Sequence, residues 1–321
     1  MSNKDRRIYN IEHLIIDVVA ELQNTGKVEI FLNYEGPCAR SLGLYDLLDH
    51  ICRSFNVNKN LITVRTHNYL EKHSEYNVVI EPNQWITGAR QHAPISIPSK
   101  QTQLKTVGFF SGRTSWYRMI LGAWLFNNYR DQTLMSFNYR HVDDDKFLCE
   151  LDELNFFKGD NLEEAVCFLK HTPIILDDMY YYKQIHTNDV WVNVNGNSLY
   201  NYYDQIFLEL VTETYVTGVT FCPTEKTIRT ILAKTPFIVF GAVGYLENLR
   251  RIGFKTFSQW WDESYDTLEG ADRIDAIKRL ISEIMSWPQD IMCATIVDMR
   301  EILDYNRTHF MTMNLNEVPQ W

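Results

Sequence analysis

The feature that most constrains this chain is a repeated switch between two hydrophobic periods. Short, almost wholly apolar runs, each the length of a strand, alternate with longer segments whose apolar residues recur every three or four positions. "KVEIFLN" (27–33) reads as a buried strand, "SLGLYDLLDHICRSF" (41–55) as a helix, and "LITVRTH" and "NVVIEP" as further strands. The series resumes with "TVGFFSG" (106–112), "SWYRMILGAWLFNNY", "QTLMSFNYR", "LEEAVCFLK", "IFLELVTE" (206–213) and "FIVF" (237–240). Continuous apolar strands separated by amphipathic helices predict βαβ units and largely parallel sheets covered by helices. Between the two series, residues 82–104 carry three prolines and no period, the mark of a linker. The expectation is an α/β protein of two domains, 1–104 and 105–321, facing a cleft, with a helical tail that includes "ADRIDAIKRLISEIM". Ahead of the first strand, "IEHLIIDVVAEL" reads as an amphipathic helix.

Composition narrows the class. The net charge of −10 falls almost entirely after residue 110, so nucleic acid is not the favoured partner, although the near-neutral first third leaves a local basic groove open. Six cysteines are scattered without a metal-binding spacing, which argues for free thiols in a reducing compartment and against a structural zinc. No apolar stretch reaches the length of a membrane span, and "MSNKDRRIYN" does not lead into a signal-peptide core; a cytoplasmic protein is expected. The "NRT" sequon at Asn306 is therefore read as incidental.

One compact unit carries the functional signal: "FCPTEKTIRTILAKTPFIVFGA", residues 221–242. Thr224 is a good N-cap, Glu225 suits a first helical turn, and Ile228, Ile231 and Leu232 fall on one face. Pro236 marks the stop, and "FIVF" is the strand that follows. The helix mouth then lies at a strand edge, where free N–H groups and the dipole favour a phosphate. Lys226 would add a point charge, and Glu225 would accept from ribose hydroxyls. The plainer alternative is two solvated residues in an ordinary first turn.

"PTEKTIRTILAKTPFIVFG" resembles the donor-site segment of GT-B-type glycosyltransferases, notably the fucosyltransferase and exostosin-like groups, with their (T/S)-E-K signature, helix, Pro-containing strand and Gly. The resemblance implies that Glu225 contacts the nucleotide ribose and Lys226 the phosphates, and that the fold is a pair of Rossmann-like domains. Cys222 stands where a tyrosine is usual. "FFSGRTSWYRMILGAWL" is similar to the strand, turn and Arg-bearing helix of the same group. It implies donor-binding roles for Ser111, Gly112 and Arg118, with Arg113 a nearby alternative and Glu213 at the end of the preceding strand. "FKTFSQWWDESYD" resembles segments of phage and algal-virus proteins; its Trp260, Trp261 and Tyr265 read as core aromatics before a sugar platform.

What the resemblance implies is an inverting, metal-independent transfer from a nucleoside-diphosphate sugar to a saccharide or other hydroxyl acceptor, with no resident cofactor. The general base would be Glu35 in "FLNYEGP", with Glu81 and His67 as rivals at similar strand ends. Other readings stay open: a metal-dependent GT-A-like transferase using Asp143 and Asp145 of "HVDDDKF", a DNA-modifying glycosyltransferase, and a non-catalytic nucleotide-binding or partner-binding module.

Overall fold

The structure is a computed structural model that describes residues 11–32, 35–82, 84–91, 93–112, 114–137, 160–176 and 197–315. Two parallel sheets organise it. The first is built from β1 (Val28–Phe31), β2 (Ile62–Thr66) and β3 (Asn77–Ile80), in that spatial order. Helix α1 (Ile11–Thr25) precedes β1, and α2 (Leu44–Phe55) makes the crossover to β2. Leu44, Tyr45, Leu48, Ile51 and Cys52 recur at helical spacing on α2, and they pack on Val28, Ile30, Ile62 and Val64 to form a small core.

Helix α3 (Gln84–Gln91) leads into the second sheet, whose strands are β4 (Lys105–Ser111), β5 (Thr133–Phe137), β6 (Ile206–Thr212) and β7 (Phe237–Phe240). The spatial order is β5-β4-β6-β7, all parallel. Helices α4 (Trp116–Tyr129), α5 (Asp160–Leu169), α6 (Glu225–Leu232) and α7 (Tyr245–Arg251) surround it. The chain then runs through α8 (Gly270–Met285), α9 (Gln289–Asp298) and α10 (Arg300–Thr312). Every residue of β6 and β7 is buried, as strands covered on both faces require. The α/β class and the parallel pairing therefore follow the sequence pattern, with three strands in one sheet and four in the other.

Three local expectations are corrected. β1 alternates buried and exposed positions instead of being buried throughout. Its outer face carries Glu29, whose carboxylate takes Arg65, and Arg65 reaches on to Glu81 beyond the end of β3, so a polar ladder crosses that face. Second, α6 ends at Leu232, ahead of Pro236, because Lys234 adopts a left-handed conformation (φ 49°) that a helix cannot continue through. Third, the proline-containing stretch 82–104 is not structureless: α3 lies within it, and Ile86 and Ala89 are buried in the larger core. Arg90 of α3 donates to the carbonyls of Phe310 and, at 2.8 Å, Met313, which caps the end of α10.

The aromatics of 254–266 are structural, as read. Trp261 and Tyr265 are buried, and the Trp260 indole donates to Asp298 at 2.7 Å. Asn306 of the sequon is also buried, bonded to the backbone of Lys255 at 2.8 Å in both directions. Among the described residues, no helix is long and apolar enough to cross a membrane.

Candidate functional site

In the order β5-β4-β6-β7 the chain leaves β4 towards β5 on one side and later returns to β6 on the other. The crevice outside the carboxyl ends of β4 and β6 is thus a topological switch point, where open α/β sheets bind ligands. Ser111 closes β4 and is buried; Gly112 follows it; Arg113 lies outside the described residues. Across the switch, β6 delivers Thr212, Glu213 and Thr214.

Arg118 sits in the first turn of α4 and is 4% exposed. Its Nε donates to Thr212 Oγ1 at 3.2 Å, and Nη2 donates to the carbonyls of Thr212 (2.9 Å) and Glu213 (3.2 Å). Tyr117 reinforces the joint, its hydroxyl donating to the carbonyls of Glu213 (2.5 Å) and Thr214 (2.9 Å). The β4–α4 corner is therefore bolted to the end of β6, and a guanidinium charge is held at the switch point.

The Glu213 carboxylate takes four donors: Thr224 N (3.3 Å) and Thr224 Oγ1 (2.5 Å), Thr227 Oγ1 (2.6 Å) and Tyr245 OH (2.8 Å). Glu213, expected from the sequence at the donor site, therefore has a positioning role. It fixes the first turn of α6 and the start of α7 against the end of β6.

Thr224 caps α6 as expected, Oγ1 accepting from Lys226 N at 3.4 Å. The helix mouth is thus partly closed by the Thr224 side chain, and the free N–H groups expected there are fewer than a bare N-terminus offers. Lys226 Nζ contacts Glu225 Oε1 at 3.0 Å, Thr224 Oγ1 at 3.1 Å and Thr214 Oγ1 at 3.3 Å, which uses all three ammonium donors. Burial alone would lower the Lys226 pKa, but Glu225, Glu213 and Glu35 together raise it against the opposing charge of Arg118. Burial likewise works to raise the Glu225 pKa, and Lys226 outweighs it, leaving the carboxyl below its ordinary range. Glu225 Oε2 is buried and has no hydrogen-bond partner among the described residues.

Glu35 enters this cluster from the other sheet. It is 8% exposed, and its charge acts on both Lys226 and Cys222. Gly36 beside it has φ +67°, and a Cβ there would stand 2.5 Å from the Cys222 Cβ, so only glycine permits this approach. Burial, then Glu213 and Glu35, push the Cys222 thiol well above its ordinary value, which disfavours the thiolate. The rival bases are occupied elsewhere: Arg65 donates to Glu81 Oε1 at 2.8 Å, and His67 Nδ1 lies 3.1 Å from the Glu81 carbonyl.

Sequence reasoning missed the residue that joins the two halves. Asn68, fully buried one position after His67, accepts from Leu70 N (3.1 Å) and Phe221 N (2.9 Å) through Oδ1. It donates through Nδ2 to Val219 O (2.9 Å) and Glu71 Oε2 (3.3 Å). Tyr69 N adds a bond to Phe221 O at 2.9 Å, and Thr220 Oγ1 donates to the Gly36 carbonyl. The available signal was a polar residue just past the end of a strand, which "RTHNY" offers twice; nothing local ranks Asn68 above His67.

Asp143 and Asp145 lie outside the described residues. Among the described residues, no cluster of His, Cys, Asp and Glu is arranged to hold a metal ion. No family profile, characterised protein or solved structure matches the chain.

Proposed function

We propose that the chain is a glycosyltransferase that moves a sugar from a nucleoside-diphosphate sugar to an acceptor hydroxyl, with inversion and without a metal. The observation that carries this reading is the Glu225–Lys226 pair at the switch-point crevice, with a buried Glu225 oxygen lacking a donor. A buried acceptor of this kind calls for a donor supplied from outside the fold. A ribose hydroxyl fits it, and the resemblance of "PTEK" to donor-site segments supports the same assignment.

The chemistry follows from the side chains. A diphosphate leaving group gains negative charge as the glycosidic bond breaks, and Lys226 and Arg118 supply two cations for it. Because the donors of Lys226 are all engaged, a phosphate oxygen must displace one partner. Thr214, the longest contact at 3.3 Å, is the one to give way. Glu35 would take the acceptor proton from the side of the first sheet. The acceptor is most simply a saccharide; a DNA base would require a flipped nucleotide and salt-sensitive binding.

A second reading has its own observation. Arg118 is committed to carbonyls of β6 and Lys226 to an internal pair, as in a module that keeps the fold without turnover.

The test is a thermal-shift panel of UDP, GDP, ADP, CDP and TDP, each with and without EDTA. A nucleotide at 100 times its Kd adds about 2.7 kcal/mol to stability. The proposal expects one base to raise the melting temperature regardless of EDTA, and Lys226→Ala to abolish the shift. With the matching sugar donor, Lys226→Ala should lose about 10²-fold in turnover. Binding that depends on a divalent metal would favour the Asp143–Asp145 reading, binding without transfer would favour the module, and no binding at all would end the transferase proposal.

A further inference from the structure

The chain is acidic overall, with a net charge of −10, yet one cavity gathers cations. It has a volume of 670 Å³ and lies between the stretch 95–102 ahead of β4, the end of α6 and the α9–α10 hairpin. Lys100, Lys234, Arg300 and Arg307 line it, with Asp304 the single carboxylate among the lining residues. Asp304 pairs with Lys234 at 2.5 Å. The other three cations form no ion pair among the described residues. Lys100 Nζ instead donates to Tyr203 O (2.6 Å), Ile206 O (2.8 Å) and Thr235 Oγ1 (2.9 Å), and burial draws its pKa down to about 7. Arg307 donates to the carbonyls of Leu232 and, at 2.6 Å, Pro94.

Arg300 and Arg307 bring two guanidinium charges with no ion-pair partner among the described residues to one cavity, so an anion placed between them is stabilised by both; Lys100, whose three donors are held by the protein, adds only longer-range charge when protonated. Arginine adds geometry: two of the five N–H donors of Arg307 hold protein carbonyls, and a guanidinium edge matches a phosphate. The volume is that of a small-molecule site. Ile97, Pro98, Ile296 and Val297 supply an apolar side to the same cavity.

We propose that this cavity is a second ligand site, separate from the β4–β6 crevice, for a small molecule carrying two or more phosphate groups. Such a ligand would bridge the 95–102 stretch, which leads into β4, and α10, which Arg90 connects to α3. Its occupancy would stiffen the junction between the two sheets.

Isothermal titration of the full chain with pyrophosphate and tripolyphosphate tests it, in wild type, Lys226→Ala and the double variant Lys226→Ala/Arg300→Glu. Arg300 is exposed and opens α10, where an acidic residue suits the helix, so Arg300→Glu should melt as wild type does. Because the proposed donor site would also take pyrophosphate, the comparison is made in the Lys226→Ala background: Lys226→Ala should keep a pyrophosphate-binding event, and adding Arg300→Glu to it should weaken that event at least about tenfold, the loss of a charged contact. Location is read separately: Cys293 lines the cavity and is partly exposed, so saturating pyrophosphate should slow its alkylation by iodoacetamide but not that of the exposed Cys167. Absence of binding in Lys226→Ala, undiminished binding in the double variant Lys226→Ala/Arg300→Glu, or unprotected Cys293 would each overturn it. None of these outcomes depends on the transferase reading.

Discussion

Replacing Asn68 by alanine should uncouple the two sheets at a cost that can be worked from its four hydrogen bonds. The side chain is fully buried and saturated: two backbone N–H groups, one backbone carbonyl and one carboxylate depend on it. Leaving a buried polar group unpaired costs about 1–3 kcal/mol. A water entering the vacated space would recover part of that for some of the groups. A net loss of about 3 kcal/mol is expected, a large share of the roughly 5–15 kcal/mol that holds a folded protein together. In urea, with a slope of about 3 kcal/mol/M, the midpoint should fall by about 1 M. Hydrogen exchange should show the Phe221 amide losing protection in the same variant. The companion change Asn68→Asp isolates the donor side. It keeps the acceptor for Leu70 N and Phe221 N but sets a carboxylate against Val219 O and Glu71. The folded-state pKa of the introduced carboxyl is then raised, so this variant should be weakest at neutral pH and recover as the pH falls towards 4. A loss below about 1 kcal/mol for Asn68→Ala, or wild-type stability of Asn68→Asp at pH 7, would refute the reasoning.

Other outcomes follow from the same structure. The Glu225 carboxyl has its pKa held below the ordinary 4.5, so its contribution is present above that value and is lost as the pH falls below it; unfolding of wild type and Glu225→Gln should converge in acid. Glu209 pairs with Arg229 at 2.9 Å in the core while Tyr203 bonds to both, so Glu209→Gln, which strands the guanidinium, should cost about 3–5 kcal/mol in urea unfolding. A double change of Glu209 and Arg229 to apolar residues should cost less than the sum of the single ones, as a double-mutant cycle would show. Gly36→Ala should lower the melting temperature, because its φ is +67° and the new Cβ meets the Cys222 Cβ; Cys222→Ala, which keeps that atom, should not rescue it.

Much of the fold was legible because burial on both faces leaves a plain trace in sequence. β4, β6 and β7 are largely apolar runs buried almost throughout, and α6 keeps a period of three to four, while α4 is buried at every position from Tyr117 to Phe126. β1 misled because "VEIF" is apolar at three of its four positions while the one charge, Glu29, is matched on the outer face by Arg65, a residue more than thirty positions away. α3 hid in a proline-containing stretch, since its anchor is the distant core that takes Ile86 and Ala89. At the candidate site, Arg118, Thr224, Glu225 and Lys226 stand at one crevice, with Glu35 in electrostatic reach. The positioning bonds of Glu213 were not legible for a physical reason: a strand-end carboxylate looks the same in sequence whether or not it takes two threonines and a tyrosine.

The bonds of Asn68 and Tyr69 to residues 219–221 also set the mechanics of the molecule. They fasten the sheets together a few residues from Glu225 and Lys226. A rotation of one sheet against the other must therefore pivot close to the site's floor, where displacements are smallest, and open widest at the far rim. The electrostatic coupling of Glu35 to the Lys226 cluster would then outlast a wide opening of the cleft, and the charges gathered at the pivot would stay together while the rim parts.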